Sequence, residues 1–564
     1  MDCKQNLKQN LMACGALLGA WLLLPAVADA QSVSDSEKIQ KLERQTDLLE
    51  RQLRELKDEL TRTRKKSADG IEVSAQAVAS RRDPKSPIVK APPPKEEKVK
   101  VTLGGFIAAE SVWRQRNTVN DMGTAFTTIP FPFSPLFNEH EFHGSARQSR
   151  ISLLVEGQID PYQKVSGFYE SDFLGVGVTS NYNQSNSWAP RLRHAYLTYD
   201  NTGWGFHFLA GQTWSLLTQN QVDMTPRKEN IPLTIDANYL VGFNYTRQWQ
   251  IRAVQDLAPG VSVGVSIENP ATIFGGSTAV APAGTGGAFA SGAIVNGLVT
   301  NFVNTGGGGD FLQGVNVTTE HAPDIIEKAA FDPGWGHFEI VGLQRWFTDN
   351  TLTCLTAGFV VPCVAGSTVM TGNTNTRTSF GAGVGGSMLL PLIPKYLEFT
   401  GSILYGRGVG RYAAAQLPDV TIAPDGSLTP LVGLSAMVGL IAHPYEGLDL
   451  YAYAGREQVN ANFFSIGTSL FGFGNPGFSN VGCETATPFS FASVGNIPAN
   501  CIANNRRLQE ITVGFWQNVY KGSYGRAVVG AQYEYVQRKS FTGIGGDPQT
   551  SDNIVMTSIR YYPF

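Results

Sequence analysis

Residues 150–157 read RISLLVEG. Successive side chains of an extended strand point to opposite faces. Ile151, Leu153 and Val155 therefore share one face, and Arg150, Ser152 and Glu156 the other. The dipeptide Asp160-Pro161 follows as a turn signal, and a second candidate strand spans 162–174. The unit recurs along the chain. QEITVGFW (509–516) sets Ile511, Val513 and Phe515 against Glu510 and Thr512. RAVVGAQYEY (526–535) sets Ala527, Val529, Ala531, Tyr533 and Tyr535 against Arg526, Gln532 and Glu534.

Working outward from this unit, candidate strands fall at 101–114, 147–157, 162–174, 190–200, 205–213, 245–256, 260–269 and 321–331. They continue at 335–347, 377–390, 395–408, 430–443, 446–457, 506–520, 523–537 and 551–564. Every second connection is short, as at Asn201-Thr202-Gly203, Ala258-Pro259 and Lys521-Gly522. Those between are long, as at 115–146, 214–244, 270–320 and 458–505. Tight turns alternating with long loops over an even strand number are the mark of a transmembrane antiparallel β-barrel, here of about 16 strands. A soluble β-sandwich would also alternate, but it does not need that rhythm, and a chain of this length would divide into domains. The final segment IVMTSIRYYPF (554–564) places Val555, Thr557, Ile559 and Tyr561 on one face and Met556, Ser558, Arg560 and Tyr562 on the other. It is expected to pair with the first strand, near Val101.

The N-terminal part is a different physical object. Lys4 and Lys8, the apolar run Leu11 to Val27 and Ala28-Asp29-Ala30 make residues 1–30 a secretory signal peptide. Within 31–66, Ile39, Thr46, Leu53 and Leu60 fall seven apart, as do Leu42, Leu49, Leu56 and Thr63, offset by three. That is the a/d pattern of an α-helical coiled coil. Residues 67–100 contain Pro92-Pro93-Pro94 and read as an extended periplasmic linker. Residues 31–100 hold 17 basic and 13 acidic side chains, or +4, and the signal holds two of each. The total of −3 leaves −7 for the expected barrel, 101–564. Beyond the signal no run of about 18 apolar residues exists to form a membrane helix.

Four cysteines follow the signal. They group as two local pairs, Cys354 with Cys363 and Cys483 with Cys501, each inside a long loop. Disulfides are expected, since neither pair has a histidine at zinc-like spacing.

No catalytic constellation is legible, so no enzymatic activity, cofactor or metal is expected, and no nucleic-acid binding. GAGVGG (381–386) matches a dinucleotide pattern but lies inside a strand instead of opening a helix; its small residues fit a closely packed wall or a subunit contact. Glu139, His140, Glu141, Phe142 and His143 read as a polar loop. Function is expected in the lumen. Strand phase points Arg150, Arg191, Arg193 and Arg252 inward, with Arg345 and Glu339. The third long loop, 214–244, carries Asp223, Arg227, Lys228, Glu229 and Asp236. Guanidiniums facing loop carboxylates would orient polar solutes, and an arginine excess would favour carboxylate anions. The net −7 argues the other way, but charges beyond about 8 Å are screened. Some of these arginines could instead sit at the rim against lipid phosphates. The competing reading is a structural tether, with the barrel anchoring a periplasmic coiled coil.

VTLGGFIAAESVWR (101–114), SARQSRISLLVEG (145–157), RLRHAYLTYD (191–200) and FLAGQTW (208–214) resemble the opening strands of Gram-negative trimeric porins. Phe564 with Tyr562 resembles the terminal signal read by the barrel-insertion machinery, although its phase holds Arg560 and Ser558 where apolar residues are usual. A slip at Pro563 would account for that, since proline is tolerated at a strand end. With the coiled coil, the chain is similar to the DcaP-like porins. That resemblance implies an outer-membrane homotrimer surrounded by bilayer lipid and lipopolysaccharide. It also implies an inward-folded third loop and passive diffusion of small hydrophilic anions such as dicarboxylates.

Overall fold

The computed structural model describes residues 99–175, 188–275, 300–302, 304–306, 316–318, 320–352, 354–356, 359–361, 374–423, 427–466, 469–485 and 501–564. The expected signal peptide, the expected coiled coil, nearly all of the expected linker and Cys363, with the expected Cys354–Cys363 disulfide, lie outside them.

Sixteen long strands are present among the described residues: β1 Val99–Arg114, β2 Arg150–Gln158, β3 Gln163–Gly175, β4 Ala189–Asn201, β5 Phe206–Trp214, β6 Arg247–Ala258, β7 Val261–Glu268 and β8 Asp324–Phe331. There follow β9 His337–Leu352, β10 Thr374–Ile393, β11 Leu397–Arg407, β12 Val432–Tyr445, β13 Leu448–Val459, β14 Asn505–Gly522, β15 Gly525–Ser540 and β16 Gln549–Tyr562. Two short segments complete the sheet. Glu141–Ser145 pairs with β1 beyond the end of β2, and Thr300–Phe302 pairs with β9 beyond the end of β8. Each strand pairs antiparallel with its neighbours in sequence. The sheet closes because β1 takes β2 on one side (Val101 opposite Val155) and β16 on the other (Ala109 opposite Ile559). Closure gives each strand a neighbour on both sides and leaves the sheet without a free edge strand.

The terminal strand differs from expectation in one respect. It meets β1 at Ile107–Arg114, not near Val101. The part of β1 up to Phe106, including Gly105 at φ +126°, pairs with β2 alone, and the outward phase of Val101 and Leu103 continues through it to Ile107. The strand stops at Tyr562, one residue before Pro563, which has no N–H to give the ladder.

The outward face carries Ile107, Ile151, Leu197, Ile340, Val384, Ile403, Ile511 and Ile559, all exposed. Near the tight turns it also carries Tyr162, Trp204, Trp335, Tyr396, Tyr445 and Tyr524. Apolar side chains ringed by aromatics match a lipid-facing belt. The inward face is mostly buried because long loops fold inside. The segment after β5 and the one after β11 meet there, with Tyr245 N–H donating to the Tyr412 carbonyl and Ala414 N–H to that of Phe243. Leu216, Leu217, Met224, Val341, Leu343, Val409 and Tyr412 fill the side of the lumen near β8–β11 with apolar packing. Gly381, Gly383 and Gly385 of β10 point into this fill, where a Cβ would lie under 3 Å from Phe347, Val409 or Ile403 atoms. The GAGVGG stretch is thus a closely packed wall.

Candidate functional site: an arginine-lined constriction

A chain segment inside a barrel must find partners for its backbone N–H groups. The segment between β5 and β6 finds them on inward side chains. Leu216 N–H donates to Glu268 (2.9 Å), Asn220 to Glu339 (3.1 Å), Val241 to Glu510 (2.8 Å) and Gly242 to Glu457 (2.9 Å). Leu233 and Ile235 donate to the Tyr453 hydroxyl (3.2 Å) and the Gln532 amide oxygen (2.6 Å). Lys328 returns a bond from its ammonium to the Thr218 carbonyl (2.7 Å). Wall acids are thus committed to suspending this loop across the lumen. That accounts for an acidic barrel whose acids need not line the water path.

The open space lies on the opposite side. A cavity of about 470 Å³ is enclosed between the loop, near Ile231 to Tyr239, and the wall of β1–β5 and β16. Arg150, Arg193 and Arg560 reach it from the wall; Arg227, Glu229 and Asp236 reach it from the loop. Arg193 bonds Glu170 (2.6 Å) and Asp172 (3.1 Å) and lies 3.5 Å from the Tyr239 hydroxyl. Arg560 bonds Glu110 (2.8 Å) and stands over the Phe106 and Trp516 rings. Arg150 is 3.6 Å from Glu170, and its Nε has no hydrogen-bond partner.

Arg193 owes its aim to a bulge. Leu192 and Leu197 are both exposed on the outer face, so strict alternation cannot hold between them. Glu170 pairs with His194 while the next residue, Ser171, pairs with Leu192, leaving Arg193 as the extra residue. Both Arg193 and His194 are then buried inside. A bulge commonly re-aims a side chain in this way.

The other expected site residues are elsewhere. Arg191 is inward but clamped on Asp172 by two bonds (3.0 and 2.7 Å). Arg252 is buried outside the cavity and donates to Gln250 and the Trp214 carbonyl, where it helps fix the start of the loop. Arg345 is not in the constriction. It is 1 % exposed and ties Asp324 to Asp419 and the Gly408 carbonyl, fixing the loop after β11. Glu339 pairs with Lys328 (2.9 Å), not Arg345. Asp223 and Lys228 pair with each other on the loop. In the polar stretch 139–143, Glu141 accepts from Arg114 and Thr118. Cys483 and Cys501 form a disulfide packed on Phe131 of the first long loop. Sequence reading missed Arg560, although its inward phase was visible as a departure from the terminal signal. It also missed Glu170, Asp172 and Tyr239.

The loop carboxyls and the wall guanidiniums are electrostatically unequal. Burial pushes the Glu229 carboxyl above its ordinary range against the pull of Arg252 and Lys328. Burial does the same to Asp236 despite its bonds from Thr124 and the charge of Arg114. Burial opposes ionisation of Tyr239, but Arg193, Arg247 and Arg150 outweigh it and hold the phenol below its usual range. A tyrosine moved that way marks a strongly positive locale.

No protein-family model matches the sequence, and no curated protein matches it. Among solved structures, the chain is similar to the outer membrane channel DcaP of Acinetobacter baumannii at 18% identity and a TM-score of 0.52, over 82% of this chain and 97% of that one. Looser likenesses are to the anion-selective porin of Comamonas acidovorans (11% identity, TM-score 0.41, 82% and 99% covered) and to OprB of Pseudomonas putida (10%, 0.38, 82% and 94%). The fold shared with DcaP is that of an outer-membrane channel.

Proposed function

We propose that this chain is an outer-membrane porin, a passive diffusion channel that prefers small hydrophilic anions, dicarboxylates among them. The observation that carries the reading is the convergence of Arg150, Arg193, Arg227 and Arg560 on one cavity whose loop-side carboxyls, Glu229 and Asp236, are biased by burial toward the neutral form. On the wall Glu170 and Asp172 pair with Arg193 and Glu110 pairs with Arg560, while Arg227 makes no ion pair among the described residues. Guanidinium binds carboxylate in a matching two-pronged geometry. Arg150, 3.6 Å from Glu170 where Arg193 and Arg560 hold their carboxylates at 2.6 and 2.8 Å, is the wall arginine least committed to a partner and so the best placed to bind a passing solute. The Phe106, Phe168 and Trp214 rings that line the same space keep it narrow and partly dry, which strengthens each charge. The reading includes a homotrimer in the bilayer, with residues 31–66 as a periplasmic coiled coil.

The test is the reversal potential of purified protein in planar bilayers under a KCl gradient. The wild type should prefer chloride. Arg150→Gln should reduce that preference, and Arg150→Gln with Arg560→Gln should reduce it further. A reversal potential unmoved by the double change would return the channel to an unselective pore.

A further inference from the structure

The loop that narrows the lumen carries a smaller structure of its own. Gln221 N–H donates to the Lys228 carbonyl and Asn230 N–H to that of Gln219, both at 2.7 Å, and Asn220 bridges Glu229. Residues 219–230 are therefore a short finger with its tip at Asp223 to Arg227. Two non-glycine residues of the tip hold left-handed backbone, Asp223 at φ +45° and Arg227 at φ +69°. Such conformations persist where surroundings fix them, and they gather at functional sites.

The surroundings do fix them. The Asp223 carboxylate accepts from both the N–H (2.8 Å) and hydroxyl (2.7 Å) of Thr225, and Lys228 pairs with it. Asp223 N–H donates to Asp332 in the turn between β8 and β9 (3.1 Å). Met224 is fully buried in the apolar fill. The finger is thus pinned on the filled side, and its backbone turns Arg227 across to β3 and β4. There Arg227 donates to the Tyr196 hydroxyl (3.2 Å) and stands 5.8 Å from the Phe168 ring centre. Unlike Arg193, Arg345 or Arg560, Arg227 makes no ion pair with any described carboxylate.

Arg227 also lines a second cavity, of about 350 Å³, together with Lys164, Lys228, Thr198, Thr225, His207 and Asp200. That cavity is at the tight-turn end, since Pro161, Tyr162 and Thr202 of the β2–β3 and β4–β5 turns also border it. Among the described residues that line it, Asp200 is the one carboxylate, and it is already engaged with His207 at 2.8 Å. Lys164 and Lys228 have single carboxylate partners, Glu156 and Asp223, and stay partly exposed.

We propose that the channel holds a second anion subsite in this tight-turn cavity, formed by Lys164, Lys228 and the hydroxyls of Thr198 and Thr225. Arg227 is the residue common to both subsites and passes a small carboxylate from one to the other. The inference rests on the anion-channel reading and adds the order of sites along the path. A single strong site would retain its ion, and conduction needs neighbouring sites that share it. An unpaired guanidinium fixed at the boundary of two basic cavities meets that need.

The experiment uses the full chain inserted from one side into planar bilayers, with succinate as blocker of the chloride current. Lys164→Gln with Lys228→Gln should weaken block by succinate added at the tight-turn side by about fivefold, with block from the long-loop side changing less than about twofold. Arg227→Gln should weaken block from both sides, since it removes the shared ligand. Heat-modifiable migration on gels checks that each variant folds. Equal change from both sides in the lysine variant, or none, would overturn the second subsite. A wild-type channel without anion preference would instead defeat the underlying reading, and the two failures are therefore distinguishable.

Discussion

Gly455→Ala adds one methyl group where the constriction loop rests on the wall. Gly455 points inward from β13, and a Cβ there would lie 1.6 Å from the Val241 carbonyl oxygen. An ordinary C···O approach is about 3.3 Å, so something must retreat by about 1.7 Å. β13 is laddered on both sides, to β12 and β14, and cannot give. The loop must. The bonds from Val241 to Glu510 (2.8 Å) and Gly242 to Glu457 (2.9 Å) then stretch beyond hydrogen-bond range. At roughly 1–3 kcal/mol each, their loss weakens the loop's docking by roughly 2–6 kcal/mol while the barrel ladders are untouched. The displaced loop moves toward the arginine wall. A cavity of this volume is about 8 Å across, so the open section shrinks by about a fifth, and conductance should fall at least in proportion. Single-channel recording should show that fall, with added flicker, in protein that still migrates as a heat-modifiable barrel. Gly167→Ala, where a Cβ meets nothing within 4 Å, is the matched control. Wild-type conductance with a quiet trace in Gly455→Ala would refute the suspended loop.

Acid should tighten the same loop. The Asp236 carboxyl is raised above its ordinary 3.8 in the folded protein, so its contribution to docking is fully present below that value and is lost as pH rises through the raised one. Conductance should therefore climb from pH 4 toward neutrality, and Asp236→Asn should flatten the climb; an identical titration in the variant would remove Asp236 as the cause. Unheated protein should migrate as a trimer and still do so after Leu53→Pro breaks the expected coiled-coil helix. A monomeric barrel after that change would mean the helices, not the walls, hold the assembly.

The barrel was legible in the sequence because its causes are local. Side chains alternate with period two, a turn dipeptide ends a strand where it stands, and lipid tolerates a band such as Ile151, Leu153 and Val155 only on one face. The order of short and long connections followed from the same signals, as did the inward phase of Arg150 and Arg252. What the strand pattern does not contain is which inward groups meet. Arg252 and Arg345 have the same phase as Arg150, yet tertiary packing spends them on anchoring loops. Arg193 faces inward as strand phase predicts, but its burial beside His194 on the same face comes from a bulge that shows only in the pairing with β3, where Glu170 meets His194 and Ser171 meets Leu192. Arg560, at the far end of the chain, joins Arg150 because the barrel closes. The acidic excess looked like a vote for cations. Its meaning changed once Glu268, Glu339, Glu457 and Glu510 were found holding backbone N–H groups of a loop inside the lumen. Alternation is decided within a few residues. The constriction is decided by contacts between residues as far apart as Glu110 and Arg560, and only closure of the sheet and insertion of the loop bring those together.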